Sequence, residues 1–482
     1  MIHLNRRQFL LTSIATGAVG ALTPLRRAFA ATPATIIRAG TRTLDIAGRA
    51  ATVYGLTRPD GGHGLEARTG DAFDVRLENT LTEPTLIHWH GLTPPWRQDG
   101  VPGITQPPIQ PGDAYDYHFP LNRSGTHWMH SHLGLQEQNL LAAPLIIRDP
   151  ANGTPEMREV VMMLHDFSFA PPSQLMEALT AGGHDMAMGH GGHGMMGGDM
   201  MGGGMMGGGM MAMDINDIDH DAYLANDRTL DDPEVVAVEA GSDIRLRIIN
   251  GAASTNFTID LGALEGNLVA VDGNPVAPLR GRQFPIAMAQ RLDIVLTMPA
   301  ERAACPILAL REGAPERTGL ILAPRGAAID RLPPIGEEDG PVLDLALERQ
   351  LSPAGPPPER PIDRTITVDL TGGMGSYVWG LAIDGRDGEA IGVEEGERVA
   401  FHIRNRTMMS HPMHLHGHHF KVTAIGGREI DGPMRDTVLV PAMESVTVVF
   451  DADNPGRWAF HCHNLYHMAA GMMTTVDYQG VG

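Results

Sequence analysis

The chain has 482 residues, enough for two to four domains, and sets 36 basic side chains against 57 acidic ones for a formal charge of −21. That balance excludes a surface built to grip nucleic acid or an anionic membrane. Two cysteines, Cys305 and Cys462, are too few for a disulfide framework, and 58 glycines and 36 prolines among short apolar runs point to an all-β chain.

The N-terminus reads Asn5-Arg6-Arg7-Gln8-Phe9-Leu10-Leu11, then an apolar stretch to Ala21, then Ala28-Phe29-Ala30. This pattern predicts a twin-arginine export signal over residues 1–30, cut after Ala30, and a periplasmic mature protein. The apolar run is too short and interrupted for an anchor, so no membrane contact is expected after cleavage. Cleavage removes four arginines and no acids, taking the formal charge from −21 to −25.

Three segments then repeat one pattern: Gly70 to Asn79, Gly241 to Asn250 and Gly396 to Asn405. Each opens on a turn glycine and alternates apolar residues, giving Phe73, Val75, Leu77; Ile244, Leu246, Ile248; and Val399, Phe401, Ile403. Period-two strands of this kind predict three homologous β domains, at 31–150, 151–330 and 363–482. Nine and eleven residues past the Asn stand His88 and His90 in the first copy and His414 and His416 in the third. The middle copy has Ile259 and Leu261 there and reads as a spacer without ligands. A second register aligns Gly125, His130 and His132 with Gly456, His461 and His463, so Ser131 stands where Cys462 stands.

Between the first and second repeats, residues 184–213 hold eleven methionines, three histidines (His184, His190, His193) and twelve glycines. Such a stretch cannot bury a core, and thioether sulfur is a soft ligand that prefers Cu(I). Met186, Met188, Met195 and Met196 are candidate ligands for a substrate Cu(I) ion; the plainer alternative is a tolerated low-complexity insertion. Cys305, in the second domain, is expected to be a small buried hydrophobe. The proline-rich stretch 331–362 reads as the linker to the third domain.

Alternate side chains of a strand point to opposite faces. His88-Trp89-His90, His130-Ser131-His132, His414-Leu415-His416 and His461-Cys462-His463 each present two imidazoles on one face. Eight imidazoles suit three copper ions, two with three nitrogens each and one with two. The opposite face of the last triplet carries a thiolate. With His467, Met472 and, from elsewhere, His411, it has the makings of a blue-copper centre of two imidazoles, a thiolate and a weak thioether. The histidines of the outer domains must converge between those domains.

The motifs HWHG (88–91), HWMHSH (127–132), HPMHLHGHHF (411–420) and HCHNLYHMAAGMM (461–473) together make the chain resemble the three-domain multicopper oxidases of the bacterial laccase, cuprous oxidase and copper-resistance group. The resemblance implies three cupredoxin-like Greek-key β-sandwich domains and four copper ions. It implies a type 1 copper on His411, Cys462, His467 and Met472. It implies a type 2 copper on His88 and His414, and a type 3 pair on His90, His130, His132, His416, His461 and His463. His127, His418 and His419 match no ligand position and are expected in outer or surface positions. Asp99 matches a family proton-relay carboxylate, though an Asp-Gly pair is also an ordinary turn. A second relay carboxylate of the family is replaced by Met468, and Glu137 is a candidate substitute. Met409 matches a family substrate-copper ligand whose acidic partner is here Thr407.

The expected reaction passes electrons one at a time from a donor through Cys462 to His461 and His463, and reduces O2 to water. The leading expectation is a monomeric exported cuprous oxidase for copper tolerance. The alternative is a laccase-like oxidase of phenols and aromatic amines, and a third reading is a non-enzymatic copper store. The methionine-rich stretch favours Cu(I) as donor.

Overall fold

A computed structural model of the chain describes residues 35–149, 157–181, 215–355 and 360–481. The export signal and Met186, Met188, Met195 and Met196 lie outside the described residues. Among the described residues no helix is long and apolar enough to cross a membrane.

The strands form six sheets that pair into three sandwiches. The first is built from strands between Thr35 and Arg148, the second from strands between Arg158 and Pro324, the third from strands between Arg364 and Tyr478. Each encloses its own core. Phe73, Val75 and Leu77 meet Trp89, Met129 and Leu145 in the first. Ile244, Leu246 and Ile248 meet Phe257, Ile307 and Leu320 in the second. Val399, Phe401 and Ile403 meet Met413, Phe460 and Val476 in the third. These are the apolar positions of the threefold repeat, and alternation along each strand buries them because a sandwich has one dry face per sheet.

The repeat's asparagines do the same task three times. Asn79 Nδ2 donates to the carbonyls of Glu83 and Ile109 while its Oδ1 accepts from Leu81 N. Asn250 Nδ2 donates to Thr255 and Ile286 carbonyls and its Oδ1 accepts from Ala252 N. Asn405 Nδ2 donates to Met409 and Val440 carbonyls and its Oδ1 accepts from Thr407 N. The side chain thus closes an Asx turn at the strand's end and ties the following loop to the opposite sheet. That tie fixes where the strand carrying the next residues begins, which in the outer domains is the strand carrying paired histidines.

The stretch read as a linker is pinned at several points. Leu343 and Leu345 enter the third core, Leu351 the second, and Glu348 accepts from Arg435 at 2.9 Å with both groups buried.

Candidate metal centres

Strand Ile87–His90 pairs with Gly125–Ser131 so that His88 lies opposite His130. Strand His411–Leu415 pairs with Arg457–Cys462 so that His414 lies opposite His461 and Met413 opposite Cys462. The two ladders bring the eight imidazoles to one place between the first and third sandwiches. His132 Nε2 and His416 Nε2 lie 3.3 and 3.0 Å from His461 Nε2. Two three-histidine groups form, His90 with His130 and His463, and His132 with His416 and His461, and His88 and His414 close a further group with His90.

Six of the eight rings are held through one nitrogen by a carbonyl or carboxylate. His88 Nδ1 donates to the Asp99 carbonyl at 2.9 Å and His416 Nδ1 to Asp99 Oδ2 at 2.7 Å. His130 Nδ1 meets Glu137 Oε2 at 2.7 Å, with His463 Nδ1 3.9 Å from Oε1. His90 Nε2 meets Asp436 Oδ1 at 3.2 Å, and His414 Nδ1 donates to the Asp436 carbonyl at 2.8 Å. His461 Nδ1 donates to the Cys462 carbonyl at 2.8 Å. The opposite nitrogens of His88, His90, His130, His414 and His463 are buried without a hydrogen-bond partner. Burial, followed by neighbouring cationic groups, holds His90, His130, His132, His414, His416 and His463 well below the usual imidazole pKa, and His461 falls to about 4. Neutral rings with inward lone pairs, oriented by carboxylates and carbonyls, are the donor set that transition-metal ions take. The residues fit copper.

Asp99 owes its position to the next residue. Gly100 has φ +88°, and a Cβ there would collide with the Ile87 carbonyl. The Asp-Gly pair is therefore both a turn and a close approach to the histidine strand.

On the far side of strand Arg457–Cys462 the thiol faces a second group. Cys462 Sγ lies 3.7 Å from His411 Nδ1 and 3.8 Å from His467 Nδ1, and those nitrogens are 3.0 Å apart. Met472 is wholly buried in the same core, and its carbonyl accepts from Cys462 N at 3.0 Å. His467 stands on the short helix Leu465–Ala469, whose N-cap Asn464 accepts from Tyr466 N and His467 N. Without metal, burial pushes the Cys462 thiol up; a bound cation is what would favour its thiolate.

The outer nitrogens of this pair differ. His411 Nε2 donates to Thr407 Oγ1 at 2.7 Å. His467 Nε2 meets Asp217 Oδ2 at 3.0 Å, and Asn464 Nδ2 donates to the same oxygen at 2.6 Å. Trp379 packs 4.3 Å from the His467 ring and 5.2 Å from His411. Both imidazoles have no exposed surface. Asp217 lies a few residues past the methionine-rich stretch. On its other flank, helix Pro172–Thr180 sets Leu175 and Leu179 into the third core.

Of the two placements open to His127, His418 and His419, around the ligands or at the surface, the structure gives the first: their exposures are 1%, 3% and 7%. His418 bridges the His416 carbonyl and the Tyr478 hydroxyl, and His419 donates to the Gly91 carbonyl, because the loop after His416 turns inward between domains. Met409 is 7% exposed and packs in the third core. Ser131, at the thiolate's register, donates to Gln136 Oε1. Cys305 is buried as expected. Asp217 and Asp436 were missed. The run of acids at 217, 219 and 221 directly after the soft-ligand stretch was a usable signal for the first; Asp436 had none.

Comparison with known proteins agrees with this geometry. Residues 43–152, 160–320 and 357–480 match multicopper oxidase family domains. The chain is 32% identical to the multicopper oxidase MmcO of Mycobacterium tuberculosis, over 88% of this chain and 82% of that one. It is 27% identical to a copper resistance protein A homolog of Pseudomonas syringae, over 91% of each. Among solved structures, a multi-copper oxidase from Pseudomonas thermotolerans superposes with a TM-score of 0.68 at 25% identity, covering 92% of this chain and 98% of that one.

Proposed function

This chain belongs to the multicopper oxidase family, and from that premise we propose that it is an exported oxidase coupling one-electron oxidation of Cu(I) to four-electron reduction of O2, for copper tolerance. We assign a type 1 copper to His411, Cys462, His467 and Met472, a type 2 copper to His88 and His414, and a type 3 pair to the other six histidines. Bound there, copper supplies one-electron storage and the site of O2 reduction.

The protein's part is to hold, orient and deliver protons. Cys462 joins His461 and His463 through one peptide link each, so a short covalent path runs from the thiolate to the imidazole cluster. Asp99 Oδ2 holds His416 Nδ1 and is a proton relay at the cluster's edge. Glu137 is the second: burial, then the nearby Asp166, pushes its carboxyl well above the usual range. Its Oε2 receives the His130 N–H, and its Oε1, 3.9 Å from His463 Nδ1, has no hydrogen-bond partner.

The observation that carries the Cu(I) reading is the mooring of the methionine-rich stretch. Its C-terminal described flank ends at the type 1 site, through Asp217 on His467, and its N-terminal flank is anchored in the third core through Leu175 and Leu179. Soft sulfur so tethered is a collector for Cu(I). The covered imidazole edges also deny an aromatic donor direct ring contact. The relative named a copper resistance protein is consistent with this reading. The twin-arginine motif supports a periplasmic location; replacing Arg6 and Arg7 by lysine should leave the protein inside the cell.

The test is O2 uptake by the copper-loaded protein with Cu(I) or with a phenol, for the full chain and one lacking residues 184–213. Fast Cu(I) turnover that falls sharply on deletion is expected. Faster turnover on phenols, unaffected by the deletion, would make the protein a laccase. No uptake with either donor at full copper content would favour a copper store.

A further inference from the structure

We infer that the first domain holds a second, closed copy of the type 1 cage, in which the side-chain amide of Gln136 stands in for the metal, and that this cage takes copper once its ligands are restored. The inference rests on the assignment of the type 1 copper to His411, Cys462, His467 and Met472.

The threefold repeat carries the copy. Thr85 stands six residues past Asn79, as His411 stands six past Asn405. Ser131 lies between His130 and His132 as Cys462 lies between His461 and His463. Gln136 and Leu141 follow Ser131 at the same five and ten residues that separate His467 and Met472 from Cys462. The strand registers agree. Ser131 lies opposite Ile87, next to the facing pair His88 and His130, and Cys462 lies opposite Met413, next to the facing pair His414 and His461. So do the backbone bonds that close the cage. Ser131 N donates to the Leu141 carbonyl at 2.9 Å, and Cys462 N to the Met472 carbonyl at 3.0 Å. His132 N donates to the Leu86 carbonyl at 3.0 Å, and His463 N to the Pro412 carbonyl at 2.7 Å. A short helix follows in each domain, Gln136–Asn139 and Leu465–Ala469. In the middle domain Leu310 stands at the thiolate's register, opposite Thr258.

With the backbone repeated, side chains decide what fills the cage. Thr85 Oγ1 and Ser131 Oγ each donate to Gln136 Oε1 at 2.8 Å. Gln136 Nε2 donates to Glu83 Oε1 at 2.9 Å and to the Pro84 carbonyl at 2.8 Å. Thr85, Ser131, Gln136 and Leu141 are all buried. One amide oxygen thus meets both hydroxyls, as one ion would meet the imidazoles and the thiolate of the third domain. Buried polar groups satisfied in this way are stable without metal. Neutral hydroxyl and amide oxygens are also poor ligands for copper beside thiolate and imidazole. The plug closes the cage and leaves electron entry to the third domain. A thiolate in place of the Ser131 hydroxyl would stand one peptide link from His130 and His132, both in the imidazole cluster.

The test uses the full chain, copper-loaded, with Cys462→Ser as parent so that the native thiolate is gone. Thr85→His, Ser131→Cys, Gln136→His and Leu141→Met are added to it. The variant should bind one copper ion more per chain than the parent and regain the intense visible thiolate-to-copper absorption that the parent lacks. A variant that keeps the parent's copper content and shows no such absorption overturns the proposal. Ser131→Cys/Gln136→His in the same parent needs two changes instead of four, with the Thr85 hydroxyl as third donor, and should show a weaker absorption of the same kind. Loss of the parent's copper from both variants also overturns the proposal, because a true copy of the cage accepts the cage's own ligands. Cys462→Ser alone tests the assignment on which the copy rests. Visible absorption that survives in it overturns the type 1 assignment. Absorption lost in it and regained in neither variant overturns the copy alone.

Discussion

Arg291 of the middle domain grips Asp436 of the third with both terminal nitrogens, Nη1 to Oδ1 at 2.7 Å and Nη2 to Oδ2 at 2.5 Å. Its Nε donates to the Thr126 carbonyl of the first domain at 3.1 Å, so one wholly buried guanidinium touches all three sandwiches. Gly91, the glycine of the first histidine motif, makes room: a Cβ there would lie 2.5 Å from Arg291 Nη2. Burial opposes ionisation of Asp436, but the charge and hydrogen bonds of Arg291 outweigh it and hold the carboxyl below its usual range. The middle domain, without ligands of its own, therefore sets the carboxylate on which His90 rests and the backbone that holds His414. Arg291→Ala leaves a buried uncompensated charge and should cost about 3–5 kcal/mol of stability. Adding Asp436→Asn should restore much of the stability but not the copper content, read by thermal unfolding and metal analysis.

At the thiolate site, Asp217→Asn keeps an acceptor for His467 Nε2 and removes a negative charge. That charge favours the oxidised, more positive state of a bound copper. Its removal should raise the reduction potential by on the order of 60 mV, equivalent to about a tenfold change for a one-electron couple. A redox titration of the visible absorption checks this.

Glu137→Gln preserves an acceptor for His130 Nδ1 but cannot release a proton. Turnover should fall roughly 10–100-fold at neutral pH with copper content unchanged. A parallel loss of copper would make Glu137 a prop for His130 instead of a proton carrier.

Metal-free protein should lose stability on acidification. Eight of the ten ligand histidines have lowered pKa values. The unfolded chain then binds more protons than the folded one as pH falls below about 6.5, and each such group adds a slope of about 1.4 kcal/mol per pH unit. Glu137, Asp272 and Glu312 act in the opposite sense, their raised pKa values weakening the fold as pH rises, but they are three groups against eight. The melting temperature should therefore fall steeply between about pH 7 and about pH 5, and copper loading should flatten the dependence by keeping the imidazoles deprotonated.

The paired histidines that the structure brings together could be read in the sequence because each pair obeys the two-residue period of a strand and each pair recurs at a fixed distance from a repeated glycine or asparagine. The fold was legible for the same reason. The groups that orient the ligands were not. Asp436 meets Arg291 across 145 positions and His90 across 346, and Asp217 meets Asn464 across 247. No local pattern encodes such contacts, because they arise only when separate sandwiches dock. The sequence left His418 and His419 open between a place around the ligands and the surface for a related reason: only the docking of domains clamps their loop inward. Asp99 was visible, and the structure adds that its turn and its contact with His416 are one feature.

His132 and His461 face each other at 3.3 Å across 329 positions of chain. An ion bound by both becomes a cross-link between the first and last sandwiches, closing a loop that covers most of the mature protein. By limiting the freedom of the unfolded chain, such a tie does what a disulfide does in disulfide-bonded proteins. Neither Cys305 nor Cys462 is paired. The copper that this protein uses would then also be the staple that lets it do without disulfides, and starvation for the metal would loosen the molecule as well as silence it.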